Sequence, residues 1–195
     1  MPYRVAVVVS GRGSNLVALC DAIVADPDVA VVLVASDRSA PALLLAEHRG
    51  IATHRFESHQ DPAEWCDLLA RYSVDLVVLA GFLKMVPSEV VTRYAGRIIN
   101  IHPALLPRHG GAGMYGSRVH AAVVASGDAV SGATVHLVDE VYDRGAVLGQ
   151  ATVSVQSGDT AADVAERVLM LEHRLLPAAV RAAARAGKPV PFDFS

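Results

Sequence analysis

Two polar side chains one residue apart, Asn100 and His102 in Asn100-Ile101-His102-Pro103, are the clearest chemical feature of the chain. In an extended strand residues i and i+2 point to one face, so this amide and this imidazole project together while Ile101 enters the core behind them. Pro103 stops the strand at once, which leaves the pair at a strand's carboxyl end, where open α/β sheets bind their ligands. An amide donor beside an imidazole can stabilise a developing oxyanion, and the imidazole can move protons near neutral pH. The plainer alternative is a structural histidine with its hydrogen bonds satisfied.

Ser10-Gly11-Arg12-Gly13-Ser14-Asn15 follows a short apolar run and precedes a helical pattern. Exposed N–H groups and the helix dipole attract an anion at such a junction, and glycine lets phosphate oxygens approach the backbone. No Gly-Lys-Ser/Thr follows, so a Walker loop is excluded, and Leu16 stands where a dinucleotide fingerprint needs its third glycine. Asp37, near the end of the second apolar run, keeps a nicotinamide-nucleotide reading open, and a simple tight turn is the plain alternative. Asp143 lies in the acidic turn Asp139-Glu140-Val141-Tyr142-Asp143-Arg144-Gly145, which is either solvated chain or a source of one more catalytic carboxylate. His136, Asp139, Glu140 and Asp143 lack HxxEH or HExxH spacing, so no metal is expected. His48, His54, His109, His120 and His173 show no evident partner, Trp65 and Tyr72 read as core, and the glycine-rich loop from Gly110 to Gly116 is either a lid or a surface connection.

Parallel strands must carry these groups. Continuous apolar runs at Val5–Val9, Val29–Ala35, Leu76–Ala80 and Ile98–Ile101 predict strands buried on both faces. Helical spacing between them, at Leu16–Val24, Pro41–His48, Pro62–Tyr72 and Pro87–Tyr94, gives βαβ units. After the Pro/Gly-rich stretch from Pro103 to Gly116 come a helix near Val119–Ser126 and two alternating strands, Thr134–Val138 and Val147–Val155, expected at a sheet edge and antiparallel. A last helix starts at a Thr160-x-x-Asp163 capping box and runs toward Gly187, with a kink or break expected at Pro177. The fold class is therefore α/β, a mostly parallel twisted sheet with helices on both faces, late antiparallel strands and a C-terminal helix.

Composition limits the function. The 195 residues carry a net charge of −3 and 19% charged residues, which speaks against a nucleic-acid surface. The longest stretch free of Asp, Glu, Lys and Arg, residues 145–158, is too short and too polar for a bilayer span of ~20 apolar residues. The apolar run at Val5–Val9 is too short for a secretory signal, so a cytoplasmic location is expected. Cys20 and Cys66 fall in helical patterns without CxxC spacing and read as buried free thiols.

Taken in order, Val9-Ser10-Gly11-Arg12-Gly13-Ser14-Asn15-Leu16, Ala80-Gly81-Phe82-Leu83-Lys84-Met85, Ile99-Asn100-Ile101-His102-Pro103-Ala104-Leu105-Leu106-Pro107 and Val135-His136-Leu137-Val138-Asp139-Glu140-Val141-Tyr142-Asp143-Arg144-Gly145 resemble the folate-dependent phosphoribosylglycinamide formyltransferases. The resemblance runs nearly end to end. It implies a Rossmann-like formyltransferase domain over residues 1–195, with a phosphate-binding half over about 1–100 and a folate and catalytic half over about 80–195. It further implies transfer of a formyl group from 10-formyltetrahydrofolate to the amine of 5'-phosphoribosylglycinamide in purine synthesis. By this resemblance Asn100, His102 and Asp143 are the catalytic set, with Asn100 and protonated His102 donating to the negative oxygen. Asp143 would orient His102, raise its pKa and help remove the amine's proton through water. Gly13, Ser14 and Asn15 would hold the phosphate, Glu172 the ribose hydroxyls, and Leu83, Lys84, Met85, Val86 and Asn100 the folate. Leu83 and Lys84 replace the more usual Met-Arg pair and Gly110-Gly111 a frequent Pro-Gly, and His59 is the nearest basic candidate for the folate tail.

Related formyl-folate enzymes that act on initiator methionyl-tRNA, or that release formate, carry an additional domain, for which a chain of this length leaves no room. Small-molecule substrates are therefore expected, with no nucleic acid or membrane partner, as a monomer or a homodimer. Two other readings are a nicotinamide-dependent oxidoreductase, from Gly11, Gly13 and Asp37, and a noncatalytic phosphoribosyl-ligand sensor in which Asn100 and His102 only grip ligand.

Overall fold

A computed structural model describes residues 1–194. The elements follow in the order β1 (Tyr3–Val9), α1 (Ser14–Ile23), β2 (Val29–Ser36), α2 (Pro41–Glu47), β3 (Ala52–Arg55), α3 (Pro62–Arg71), β4 (Leu76–Leu79), α4 (Ser88–Arg93), β5 (Ile98–His102), α5 (Ser117–Ala125), β6 (Val130–Leu137), β7 (Val147–Ser154) and α6 (Ala161–Ala186). They form a seven-stranded sheet ordered β3-β2-β1-β4-β5-β6-β7. The first five strands in that order are parallel, and β6 and β7 run antiparallel. Strand order reverses at β1, which pairs with both β2 and β4, so a crevice opens at the carboxyl ends there.

The valine run of β1 is explained by burial on both faces. Val5, Val7 and Val9 pack with Leu16 and Leu19 of α1, Val123 of α5 and Val168 and Leu175 of α6. Ala6 and Val8 point the other way, toward Trp65, Leu68 and Leu69 of α3 and Val90 of α4. Each valine removed from water contributes roughly 1.5–3 kcal/mol, so a one-residue slip of β1 finds no polar face to expose and is opposed by packing alone. Phe56 stacks on Trp65 at 4.4 Å and closes the second layer.

Three features differ from the sequence reading. β3 was not expected, because Ala52-Thr53-His54-Arg55 is short, half-exposed and mixed in polarity, as suits an edge strand paired only with β2. α6 passes Pro177 without a break: this buried proline forfeits one backbone hydrogen bond, and packing of α6 on α1, α5, β6 and β7 outweighs that loss. β6 begins at Val130 and is almost wholly buried between β5 and β7, so of the two late strands only β7 lies at an edge. The capping box at Thr160 and Asp163 is present, and Cys20 and Cys66 are free but half-buried rather than buried. Among the described residues no helix is long and apolar enough to cross a membrane.

A buried threonine anchors the loop that follows β5. Thr134 Oγ1 donates to the Ala104 carbonyl at 2.6 Å and accepts from the Leu106 N–H at 3.1 Å and from Gln150 Nε2 at 2.9 Å. The path of the chain beyond His102 is thereby tied to β6 and β7.

Candidate active site

A cleft of about 670 Å³ opens at the carboxyl ends of β1, β4 and β5. Its walls include Gly11 to Asn15, Leu83 to Val86, Asn100, His102, Asp143 and Glu172, so most residues singled out from sequence converge there. His59 is not among them: its carbonyl accepts a hydrogen bond from Trp65 Nε1 at 3.0 Å, at the start of α3.

Asn100 and His102 lie on the face of β5 that the alternation requires. Asn100 pairs in register with His136 across β5 and β6, and its Nδ2 donates to His136 Nε2 at 3.0 Å. His136 Nδ1 lies 2.7 Å from the Leu137 carbonyl, so the ring carries its proton on Nδ1 and accepts at Nε2. That arrangement fixes which end of the Asn100 amide is nitrogen and leaves its second N–H unused by His136. His136 is the residue that the sequence reading missed. Its alternation with Thr134 along β6 was a usable signal, but the pairing with Asn100 requires the strand register.

His102 is 4% exposed and lies between two acceptors. Its Nε2 donates to the His109 carbonyl at 2.9 Å, and its Nδ1 stands 3.6 Å from Asp143 Oδ2, an ion-pair distance rather than a hydrogen bond. Burial, the largest influence, pushes the His102 pKa below its ordinary value, while Asp143 and the His109 carbonyl push it up without prevailing. Asp143 thus acts in the expected direction, but burial outweighs it, and the expectation of a protonated His102 in the free protein is corrected. A carbonyl can only accept, so in the neutral ring the proton sits on Nε2 and the Nδ1 lone pair faces the carboxylate, which accounts for the longer separation.

Asp143 occupies a left-handed turn, with φ of 56°. The turn depends on Gly145, where a Cβ would fall 1.8 Å from the Leu137 carbonyl oxygen. Asp143 Oδ2 accepts the Gly111 N–H at 2.9 Å, and its Oδ1 is 3.5 Å from His136 Nε2. Burial raises its pKa, but His136, His102 and the Gly111 N–H together outweigh burial and hold the carboxyl below its ordinary value. It is ionised at neutral pH.

At the other end of the cleft, Gly13 adopts φ of 83° at the start of α1, and its carbonyl accepts the Val17 N–H. Among the described residues no side chain caps this helix, so the N–H groups of its first turn can bind an anion. Ser10 ties this loop to the next wall: its N–H donates to Gly81 and its hydroxyl accepts the Leu83 N–H at 3.1 Å. Leu83, Met85, Val141 and Tyr142 present exposed apolar surface along the cleft, which suits a flat ring system.

Glu172 reaches in from α6 and meets Asn15 Nδ2 at 3.4 Å. Burial pushes its pKa up to about 7, opposed in part by Asn15. The folded protein therefore holds a proton that the unfolded chain releases near pH 4.5. Stability from this group is intact below about pH 4.5 and declines as pH rises through about 7, by about 3 kcal/mol in all. Glu172→Gln is expected to flatten this decline. A fall in Tm between about pH 5 and about pH 8 as steep in the variant as in the parent would place the effect elsewhere.

The Asp37 side chain is 3% exposed, pairs with Arg38 at 2.6 Å and does not line the cleft. Of the features that kept a dinucleotide reading open, Gly11 and Gly13 line the cleft but Asp37 is committed elsewhere, and Leu16, in the place of the third glycine, is core. Two histidines thought to lack partners have them: His54 Nε2 meets Glu64 at 2.8 Å, and His109 Nε2 meets Asp128 at 2.6 Å.

Fold and site together define a doubly wound α/β protein whose ligand cleft joins an anion-binding helix terminus to an amide–imidazole–carboxylate cluster. Residues 3–180 match the family described as Formyl transferase. The chain belongs to that family. It is 42% identical over 182 residues to the chloroplastic phosphoribosylglycinamide formyltransferase of Arabidopsis thaliana, covering 88% of this chain and 62% of that protein. It is 39% identical over 195 residues to the phosphoribosylglycinamide formyltransferase of Mycobacterium tuberculosis, covering 97% of this chain and 88% of the relative. The crystal structure of phosphoribosylglycinamide formyltransferase from Anaplasma phagocytophilum superposes with a TM-score of 0.88 at 36% identity, covering 95% of this chain and 88% of that one. The chain spans about 60% of the length of the plant relatives it matches.

Proposed function

We propose that this chain transfers the formyl group of 10-formyltetrahydrofolate to the amine of 5'-phosphoribosylglycinamide, a step of purine synthesis. The observation that carries this reading is the placing of Asn100, His102 and Asp143 in one cleft with the N-terminus of α1. The relatives' names point to the same reaction. A cleft of about 670 Å³ falls within the usual range for small-molecule sites.

The bound folate supplies an activated formyl carbon, and the apolar side chains of Leu83, Met85, Val141 and Tyr142 are of a kind that holds its ring system. Lys84, in the same wall, is a cation available to its acidic tail, and His59 does not line the cleft. The first turn of α1, with Gly13, Ser14 and Asn15, takes the acceptor's phosphate, and Glu172 takes the ribose hydroxyls. Asn100, held by His136, donates its free N–H to the oxygen that becomes negative as the amine attacks. His102 starts neutral. The proton lost by the attacking amine charges the ring at Nδ1, so an imidazolium stands beside the oxygen as its negative charge develops. Asp143, ionised at the outset, accepts the amine's proton through water and hands it to Nδ1 of His102, which it faces. A cytoplasmic setting agrees with two free cysteines, although the plant relatives are described as chloroplastic.

The test is a turnover assay with both substrates, in which formylated ribonucleotide is expected as product. Release of formate without the acceptor would identify a hydrolase, and ligand binding without turnover would identify a sensor. Tight nicotinamide-nucleotide binding without folate binding would restore the oxidoreductase reading.

A further inference from the structure

Behind the cleft lies a smaller cavity of about 310 Å³, bounded by Leu105, Arg108, His109, Val123, Asp128 and Val130. It contains a charge cluster on the outer side of the loop that follows β5. Asp128, in the turn between α5 and β6, receives His109 Nε2 at 2.6 Å on one oxygen and Arg108 Nη2 at 2.5 Å on the other. The His109 and Asp128 side chains are only 14% and 12% exposed, so this contact is shielded from water, whereas Arg108 is 66% exposed at the rim. Among the described residues His109 is also one of three non-glycine residues in the left-handed region, with φ of 54°. Such a conformation costs a residue with a Cβ energy and persists only where its surroundings hold it. Here it directs one residue two ways: the side chain turns outward to Asp128, and the backbone carbonyl turns inward to accept His102 Nε2 at 2.9 Å.

We propose that Asp128 and His109 are positioning residues of the cleft, in which the shielded Asp128–His109 contact anchors the loop so that the His109 carbonyl fixes the tautomer and tilt of His102. Neither side chain lines the main cleft, so neither acts as a catalytic residue. The consequence for turnover rests on the formyl-transfer reading, while the anchoring of His102 does not.

The sign of the effect follows from what surrounds His102. Asp143 faces it from the turn after β6, His136 from β6, His120 from α5 and His109 from its own loop. Asp143 and the His109 carbonyl favour its protonated form, and burial and the other rings oppose it. Releasing the carbonyl removes one of the two favouring contacts, and that contact outweighs the opposing His109 ring, so His102 is expected to titrate at lower pH.

Nuclear magnetic resonance of the imidazole nitrogens in the intact chain, with His102 assigned by the signal lost in His102→Gln, reads tautomer and titration without requiring turnover. In Asp128→Ala the Nε2–H tautomer signature of His102 is expected to weaken and its titration to move to lower pH. Asp128→Asn, which still accepts from His109, is expected to restore both. If Asp128→Ala does not fold, Asp128→Leu fills the back cavity with apolar volume and is read in the same way. Where the parent turns over, kcat falls roughly tenfold in Asp128→Ala with both KM values within about twofold, as expected for a displaced donor rather than a lost binding contact. A His102 tautomer and titration unchanged in the folded variant would overturn the proposal. An inactive parent with the shifts present would overturn the formyl-transfer reading alone.

Discussion

His102→Ala is expected to lower kcat/KM for formyl transfer roughly a thousandfold, the loss expected when a preorganised donor to a developing oxyanion is removed from a dry site. The effect should fall on kcat, because the ring contributes most as charge develops rather than when substrate binds. Asp143→Asn separates orientation from charge. The amide can still accept the Gly111 N–H that Asp143 Oδ2 accepts at 2.9 Å, so the turn is retained, but the charge facing His102 and His136 is lost. The strongest influence raising the His102 pKa then disappears while burial remains, so the ring becomes harder to protonate. Activity should fall roughly a hundredfold, and the limb of the pH profile assigned to His102 should move to lower pH. Parental kcat/KM in both variants would sink the mechanism. A Tm close to the parent's in each would show that the losses arise from chemistry rather than unfolding.

Gly13→Ala is expected to raise the KM for the phosphorylated acceptor roughly a hundredfold, equivalent to about 2.7 kcal/mol of binding. Two independent penalties meet at this position. At φ of 83° any residue with a Cβ is strained, and that Cβ would stand 2.6 Å from Ala42 Cβ on α2. The first turn of α1 must shift to relieve the contact, and its N–H groups then miss the phosphate they are aimed at. Pairing Gly13→Ala with Ala42→Gly tests the division: space is restored but the backbone strain is not, so recovery should be partial. Competition by ribose 5-phosphate measures phosphate binding directly, and an inhibition constant unchanged from the parent would remove this loop from the phosphate site.

Several parts of the molecule were legible because their signals are local. The runs at Val5–Val9 and Val29–Ala35 had to be strands covered on both faces, since no polar alternation offered a solvent side, and both layers of the core confirm it. The Thr160 capping box and the start of α3 after Asp61, whose side chain accepts the Ala63 N–H, depend only on neighbouring residues. β3 was not legible, because four mixed residues become a strand only when β2 offers an edge. The continuity of α6 through Pro177 was hidden for the same reason: packing from four other elements outweighs a local rule.

The site divides along the same line. Sequence by itself determined that Asn100 and His102 share a face at a strand's end, because a strand alternates with period two and proline stops it. It also determined that a glycine-bearing loop precedes the first helix. Tertiary structure alone decided the rest. It turned Asp143 from one acid in a solvated turn into the ion facing His102, and it set His136 against Asn100 through a register between strands 36 residues apart. It removed Asp37 and His59 from the cleft, and it made burial rather than Asp143 the stronger influence on His102. The physical reason is that alternation, capping and turn preferences act over a few residues, whereas desolvation and charge proximity depend on what the folded chain brings within a few ångströms.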